Sequence, residues 1–286
     1  MIDNGIMQYY REHRTKLGCL KTRELPFPQY YGEDEEEYLE FMKTPTQLYF
    51  KKEAEKDTAD AEILLSQIYK KAGFDTALYF PALDKRSKRI VLSNDVRSEH
   101  SIAAFELHKK IGKQHPGHKF HECVPENGEY PFILPQYLAP KAITNTFRMN
   151  GYDVASFNTD RHFANYMYDY PNIFGKYGDI KLYDFGQSGY IFSGANSGFL
   201  TQRDVEFPNL FGDGEEKNYE QMIWQLRNNQ TVSKYVSSHE LGEEIGNVDI
   251  YGTARDIKEE LGYTIHPQYI DFLSRSFEQT ATDLTK

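Results

Sequence analysis

Two short polar motifs stand where predicted secondary-structure elements end, and they restrict how the middle of the chain can fold. The string FNTDRHFAN at 157–165 follows a segment from 140 to 157 whose apolar residues have helical spacing. The string DFG at 184–186 overlaps the end of DIKLYDF (179–185), which alternates like a strand. NYMYDY (165–170) alternates in the same way. We therefore predict a helix, a polar loop and two strands in this order.

These motifs contain oxygen ligands of the kind that phosphate chemistry requires. Asp160, Asn165 and Asp184 supply two carboxylates and a carboxamide oxygen. Such hard ligands suit Mg²⁺ and leave coordination positions for phosphate oxygens and water. Phosphoryl transfer needs one Asp to orient the accepting hydroxyl, an Asn and a second Asp to hold metal, and a Lys on the phosphates. The motif residues therefore favour a phosphotransferase.

A lysine for the phosphates is available in the preceding segment. QLYFKK at 47–52 is typical of a strand and ends in Lys51 and Lys52. Because side chains alternate along a strand, at most one of the two can face a site, and the other is a surface lysine. Glu62, on the following predicted helix, could hold that lysine in place or could be an exposed helix residue.

The remaining pattern predicts strands first and helices later. A helix is predicted over residues 57–73, DTADAEILLSQIYKKAG, and it ends at Gly73. Two strands are predicted after it, TALYFPA (76–82) and RIVLSNDV (89–96). A helix is predicted from Ser98 to about Gly112, and mostly helical segments follow Glu215. HPGHKFHEC at 115–123 has ligands for a structural zinc ion, although a polar surface loop is the favoured interpretation.

Composition excludes several classes of protein. Of the 286 residues, 39% are hydrophobic and 15% aromatic, which fits an ordered chain with a substantial core. The formal net charge of -10 argues against a nucleic-acid binder. Cys19 and Cys123 are too few for a disulfide framework, and no apolar run has signal-peptide or membrane-span length. We predict a cytoplasmic protein, although a secreted effector without a cleavable signal would share these features.

The motifs resemble those of two kinase families. D-R-H-F-A-N with D-F-G resembles the DRHxxN and DFG motifs of phosphatidylinositol 3- and 4-kinases. N-T-D-R-H-F-A-N followed by L-Y-D-F-G is closer to HipA-like bacterial serine/threonine kinases, whose core pattern is N/T-x-D-x-H-x-x-N. The YFK string (49–51), Glu62 and the VLSND string (91–95) occur in the order of that family's strand lysine, helix acid and adenine-binding hinge. The resemblance spans Gln47 to Gly186.

The resemblance to HipA-like kinases implies a role for each catalytic-loop residue. It makes Asp160 the catalytic aspartate and Asn165 and Asp184 the metal ligands. His162 matches the motif histidine, which shapes the catalytic loop or contacts phosphate.

The same resemblance implies a nucleotide site. Lys51 would contact phosphate and pair with Glu62, while Ser93, Asn94 and Asp95 would form the hinge. No glycine-rich loop precedes Lys51, since the turn there is KTPT, so the element that covers the nucleotide is not identified.

The resemblance therefore implies a two-lobed, protein-kinase-like α+β fold with ATP and Mg²⁺ between the lobes. Residues 1–96 would form a small strand-rich lobe and residues 97–286 a larger helical lobe. The acceptor would be a serine or threonine of a protein substrate or of the chain itself. Ser188 and Ser193, in the glycine-rich segment after DFG, are candidate regulatory phosphorylation sites.

Two alternatives remain at this stage. A lipid or small-molecule kinase is suggested by the DRHxxN and DFG pair, although a phosphoinositide kinase needs a basic patch for an anionic membrane. A nucleotide-binding module without turnover, acting with a regulatory protein partner, would carry the same fold.

Overall fold

The computed structural model describes residues 48–51, 56–83, 89–94, 96, 101–104, 107, 138–159, 161, 165–169, 176–186, 188, 206–207, 217–228 and 235–286. Within these ranges, short strands and longer helices give a mixed α+β architecture. The predicted α+β class is thereby confirmed, while the division into two lobes after residue 96 remains a prediction.

Helix α1 spans Lys56–Lys71 and agrees with the predicted periodicity. Its apolar residues at helical spacing lie in the core with almost no exposure: Ala61, Leu64, Leu65 and Ile68. Gly73 follows the helix with a φ of +87°, a left-handed conformation that is cheap only for glycine. The chain then turns at Phe74, whose N–H donates to the carbonyl of Tyr69.

The first sheet contains strands β1 (Leu48–Lys51), β3 (Tyr79–Leu83) and β4 (Arg89–Asn94). Its order is β1-β4-β3, and both pairs are antiparallel. Lys51 at the end of β1 lies opposite Val91 of β4. The predicted strands at 47–52, 76–82 and 89–96 are therefore confirmed within two or three residues of their predicted ends.

The second sheet joins early and late parts of the chain. Its order is β2-β7-β6-β5, where β2 is Asp75–Thr76, β5 is Ile102–Ala103, β6 is Tyr166–Tyr168 and β7 is Ile180–Leu182. Strand β2 pairs with β7 in parallel, whereas β6 is antiparallel to both β7 and β5. The strands predicted before and after residue 170 are confirmed.

The helix predicted from Ser98 to Gly112 is wrong at β5. Ile102 lies opposite Tyr168 and Ala103 lies opposite Met167, so pairing with β6 overrides the local helical pattern there. Helical backbone begins only at Ala104.

Helix α2, Pro140–Ser156, agrees with the helix predicted from 140 to 157. Gly151 lies in its interior because another helix approaches closely there. A Cβ atom at this position would lie 2.7 Å from the Leu241 side chain, which would have to shift. Leu241 belongs to α4 (Ser238–Gly246), so this glycine permits the contact between α2 and α4.

The C-terminal part is helical, as predicted. A short antiparallel pair, β8 (Glu206–Phe207) and β9 (Lys217–Asn218), precedes α3 (Tyr219–Asn228). Helices α5 (Ile250–Leu261) and α6 (Pro267–Thr285) complete the described chain. Within the described ranges, no helix has both the length and the apolar character needed to cross a bilayer.

An aromatic cluster links α1, α2 and the DFG segment. The Tyr69 ring centroid lies 5.3 Å from those of Phe74 and Tyr152 and 5.0 Å from that of Phe185. All four side chains are buried. These ring contacts pack Phe185 of the predicted DFG turn against Tyr69 of α1, which in turn packs against Tyr152 of α2.

Candidate functional site

The β6–β7 hairpin brings the two predicted metal ligands to the same end. Asn165 directly precedes β6, and Asp184 follows β7 by two residues. The register pairs Tyr166 with Leu182, and the Tyr183 N–H donates to the Asn165 carbonyl oxygen at 3.5 Å. Antiparallel pairing therefore places residues that are nineteen apart in sequence beside each other.

Asp184 has a defined backbone conformation. Its φ is +59°, in the left-handed region that aspartate occupies more readily than most residues. Its N–H donates to the Tyr79 hydroxyl at 3.0 Å, and its Oδ1 accepts from the Gly186 N–H at 3.4 Å. These bonds offset the cost of the unusual φ and fix the turn on which the carboxylate stands.

Glu62 is directly bonded to the DFG segment. Its side chain is fully buried, and its Oε2 accepts a hydrogen bond from the Phe185 N–H at 3.0 Å. The interpretation of Glu62 as an exposed helix residue is therefore wrong. The reason is that the flank of α1 faces the turn after β7 and not solvent. A carboxylate accepting a backbone N–H in a buried position is a strong positional restraint.

Arg161, next to the predicted catalytic aspartate, binds the backbone on both strands at this end of the hairpin. Its side chain is almost completely buried, and its Nη1 donates to the carbonyl oxygens of Asn165 at 2.8 Å and Tyr183 at 2.7 Å. Its guanidinium carbon lies 5.0 Å from the centroid of the Phe185 ring. One cation thus binds the loop that ends at Asn165 and the strand end that leads to Asp184.

Asp153 neutralises this buried arginine. Its Oδ2 lies 3.1 Å from the Arg161 Nε, and its Oδ1 also accepts from the Tyr69 hydroxyl at 2.8 Å and the Asn158 Nδ2 at 2.9 Å. Burial lowers the pKa of Arg161, but the charge of Asp153 and its hydrogen bond, together with Tyr69 and Asp184, outweigh burial, so the pKa is raised above its ordinary value. Neighbouring side chains complete the hydrogen bonds of Asp153, and backbone carbonyl oxygens complete those of Arg161.

The end of α2 explains how these residues meet. Phe157 has a φ of +54°, and its N–H bonds to the carbonyl oxygens of Asp153 and Val154. This left-handed turn reverses the chain, so that Asn158 and Arg161 lie over the last turn of the helix. Sequence reasoning did not identify Asp153 or Arg161. The available signal was a lone charged residue, Asp153, within the string GYDVASF.

The end of β4, where the hinge is predicted, connects to the same site. Ser93 is buried and lies opposite both Tyr49 and Tyr79, the residue whose hydroxyl binds the Asp184 N–H. Beyond it, the carbonyl oxygen of Val96 accepts from the Lys181 Nζ at 2.9 Å. Lys181 lies on β7, three residues before Asp184. The end of β4 is therefore connected to the segment that carries Asp184 through Tyr79 and Lys181.

Several predicted residues lie wholly or partly outside the described residues. Asp160, His162, Asp95 and Lys52 are outside them, as is the histidine-rich string at 115–123. For Lys51 and Asn94 the structure describes only the backbone, on β1 and β4. Their roles remain predictions.

Asn165 and Asp184 fit a Mg²⁺ site. Magnesium is held in nucleotide enzymes by one or two carboxylates together with phosphate oxygens and water, so a carboxamide and a carboxylate at one hairpin end are sufficient. Among the described residues, no group of three or more histidine, cysteine, aspartate and glutamate side chains could hold a metal ion.

Ser188, a candidate phosphorylation site, is buried in the structure. It forms an isolated antiparallel bridge with Asn158, and its carbonyl oxygen accepts from the Tyr269 hydroxyl at 3.4 Å. Its side-chain oxygen has no hydrogen-bond partner among the described residues. Phosphorylation of Ser188 would therefore require the contact between the DFG segment and the catalytic loop to open first.

The burial of Ser188 leads to a prediction for two substitutions. We expect Ser188→Ala to leave the free energy of unfolding within about 1 kcal/mol of the wild type, because it removes an unbonded hydroxyl. Ser188→Asp should lower it by about 3 kcal/mol or more, because an unpaired charge would be buried. Urea denaturation followed by circular dichroism measures both. A Ser188→Asp variant as stable as the wild type would contradict this environment.

No protein-family model and no curated protein matches the chain. Among solved structures, it is similar to the proinflammatory kinase CtkA of Helicobacter pylori, at 11% identity and a TM-score of 0.49 over 82% of this chain and 84% of that one. It is also similar to a chain of the Shewanella oneidensis MR-1 toxin–antitoxin complex of HipA, HipB and operator DNA, at 13% identity and a TM-score of 0.45. That match covers 83% of this chain and 57% of the other. At TM-scores below 0.5, neither similarity establishes a function for this chain.

Proposed function

We propose that the chain is an ATP- and Mg²⁺-dependent kinase that phosphorylates serine or threonine hydroxyls of proteins, including its own. The observation that carries the proposal is the hairpin end at which Asn165 and Asp184 lie together while Glu62 accepts from the Phe185 N–H of the DFG turn. This arrangement provides oxygen ligands for a metal–nucleotide complex on a turn fixed by buried hydrogen bonds.

The metal would be held by Asn165 and Asp184 and, when bound, would supply positive charge against the β- and γ-phosphates of ATP. Lys51 would hold the α- and β-phosphates, with Glu62 restraining it. Ser93 and the following hinge residues would bind adenine. His162 would shape the catalytic loop or contact phosphate.

In the proposed reaction, the acceptor hydroxyl oxygen forms a bond to the γ-phosphorus of ATP, and the bond from that phosphorus to the β,γ-bridging oxygen breaks. Asp160 would orient the acceptor and receive its proton, and ADP would leave. Arg161 supports this step without touching substrate, because it fixes the backbone at Asn165 and at Tyr183. Preorganisation of this kind accounts for most of the rate enhancement in phosphoryl transfer.

The experiment that tests the proposal is intact-mass spectrometry of the purified chain after incubation with ATP and Mg²⁺. A dephosphorylated acceptor protein is included, and Asp160→Ala and Asp184→Ala are run in parallel. We expect phosphate mass increments on the chain or on the acceptor with the wild type and none with either variant.

Three other results would contradict the proposal. Consumption of ATP without any protein mass increment would indicate a lipid or small-molecule acceptor. Binding of ATP without consumption would indicate a nucleotide-binding module. Equal increments in wild type and variants would show that the phosphorylation comes from a contaminant.

A further inference from the structure

Helix α1, which carries Glu62, forms hydrogen bonds near its start with the connection between α5 and α6. Asp60 is fully buried, although it is a charged residue in the second turn of the helix. Its Oδ1 accepts from the Tyr263 hydroxyl at 2.6 Å, and its Oδ2 accepts from the His266 N–H at 2.9 Å. Both donors lie in the short segment between α5 and α6, about two hundred positions later in the chain.

The last residue of α1 forms hydrogen bonds with α5. The Lys71 Nζ donates to the Thr253 Oγ1 at 3.1 Å and to the Asp256 Oδ2 at 2.6 Å. Lys71 and Asp256 are 39% and 43% exposed, so water screens this pair and it is the weaker of the two attachments. The buried Asp60 contacts are the stronger restraint, because they are charge-assisted and shielded from solvent.

Asp60 and Glu62 point to opposite sides of the helix. Successive residues of an α-helix are rotated by about 100°, so positions two apart differ by about 200°. Asp60 binds the α5–α6 connection, and Glu62 binds the Phe185 N–H on the other side. The helix is thus held between the C-terminal helices and the DFG turn, so a rigid movement of α1 at one contact would also displace the other.

We propose that the α5–α6 connection is an intramolecular clamp, formed by Tyr263 and the His266 N–H on Asp60, which positions Glu62 on the DFG turn. Asp60 and Tyr263 are positioning residues, since neither touches the phosphotransfer site. In kinases, the position of the helix that carries the acidic residue decides whether the site is assembled, and phosphorylation of a loop commonly controls it. In this chain the restraint is built into the fold, so Glu62 is in place without such a modification. The catalytic consequence rests on the proposed function, but the positional claim does not.

The test measures amide hydrogen exchange of Phe185 directly. Protein labelled with ¹⁵N-phenylalanine is compared by NMR as wild type, Tyr263→Phe and Asp60→Asn, with Phe185→Leu used only to assign the resonance. Tyr263→Phe keeps the ring and removes one donor, so it is the less disruptive variant. Asp60→Asn replaces one acceptor oxygen by an amide donor.

The matched control is Tyr251→Phe. The Tyr251 hydroxyl donates to the Asp271 Oδ1 at 2.7 Å, so this variant also removes a tyrosine–aspartate hydrogen bond from the α5–α6 pair, but one that does not involve α1. Phe147, in the interior of α2, serves as an internal reference in every sample because its exchange reports on global opening.

We expect Tyr263→Phe to accelerate Phe185 exchange by about tenfold or more, as loss of a hydrogen bond to a charged group should. Phe147 exchange should stay within about twofold of the wild type, and the control variant should change neither rate. In a phosphotransfer assay, the same variant should lower kcat while the KM for the acceptor stays unchanged, because fewer molecules have Glu62 in position.

Unchanged Phe185 exchange in both clamp variants would overturn the inference. Equal acceleration at Phe185 and Phe147 would also overturn it, because Asp60 and Tyr263 would then contribute only to overall stability. If the wild type transfers no phosphate at all, the proposed function fails while the exchange result still decides whether the clamp exists.

Discussion

Replacing Asp153 by alanine is expected to lower the free energy of unfolding by about 3 to 5 kcal/mol, the usual cost of removing one partner of a buried ion pair. Arg161 would then remain buried without its counter-ion, and Tyr69 would lose its hydroxyl acceptor. Arg161 also binds the carbonyl oxygens of Asn165 and Tyr183. We therefore expect Asp153→Ala to lower the rate of phosphoryl transfer as well as the free energy of unfolding.

Chemical denaturation of Asp153→Ala, with Asp256→Ala as control, measures this effect. Asp256 also pairs with a basic residue, but both partners are more than a third exposed, so its loss should cost less than about 1 kcal/mol. Similar destabilisation by the two substitutions would contradict the assignment of Asp153 and Arg161 as the structural centre of the site.

The largest effect on activity is expected for the two predicted metal ligands. Asp184→Ala and Asn165→Ala should each lower the rate of ATP turnover by about a thousandfold, since charge neutralisation on the phosphates supplies most of the catalysis. Circular dichroism should show that both variants remain folded. The decline should appear mainly in kcat, because these groups act most strongly as charge develops in the transition state.

The control for this prediction is Asp169→Asn. Asp169 is also an aspartate of the β6–β7 hairpin, but it lies at the opposite end and pairs with Lys181 at 3.1 Å. We expect its turnover to stay within about tenfold of the wild type. A result in which Asp169→Asn is as inactive as Asp184→Ala would show that the hairpin end has no special role.

Much of the fold follows from local patterns in the chain. The periodicity of α1 and α2 and the alternation of β6 and β7 depend on neighbouring residues, and the structure confirms them. Strand β5 could not be predicted, because a two-residue strand gains its hydrogen bonds only from β6, more than sixty residues later. Its local sequence favours a helix, and helical backbone does begin at Ala104.

The residues of the candidate site also differ in how far the sequence predicts them. Motif residues such as Asn165, Asp184 and Glu62 could be predicted as site residues because their types and spacing have a chemical meaning. The partners of these residues could not. The hydrogen bond from the Asp184 N–H to the Tyr79 hydroxyl spans 105 positions, and the contact of Asp153 with Arg161 depends on the left-handed backbone of Phe157. Such contacts are determined by tertiary packing, which no spacing rule encodes.

We propose that this hairpin end binds a metal–nucleotide complex through Asp184. Isothermal titration calorimetry with the non-hydrolysable β,γ-imido analogue of ATP, with Mg²⁺ and with a chelator, tests it without any acceptor. Mg²⁺ is expected to tighten binding to the wild type by about tenfold or more, and to change the affinity of Asp184→Ala by less than about twofold. Affinity that does not depend on Mg²⁺ in the wild type, or full Mg²⁺ dependence in Asp184→Ala, would contradict the claim.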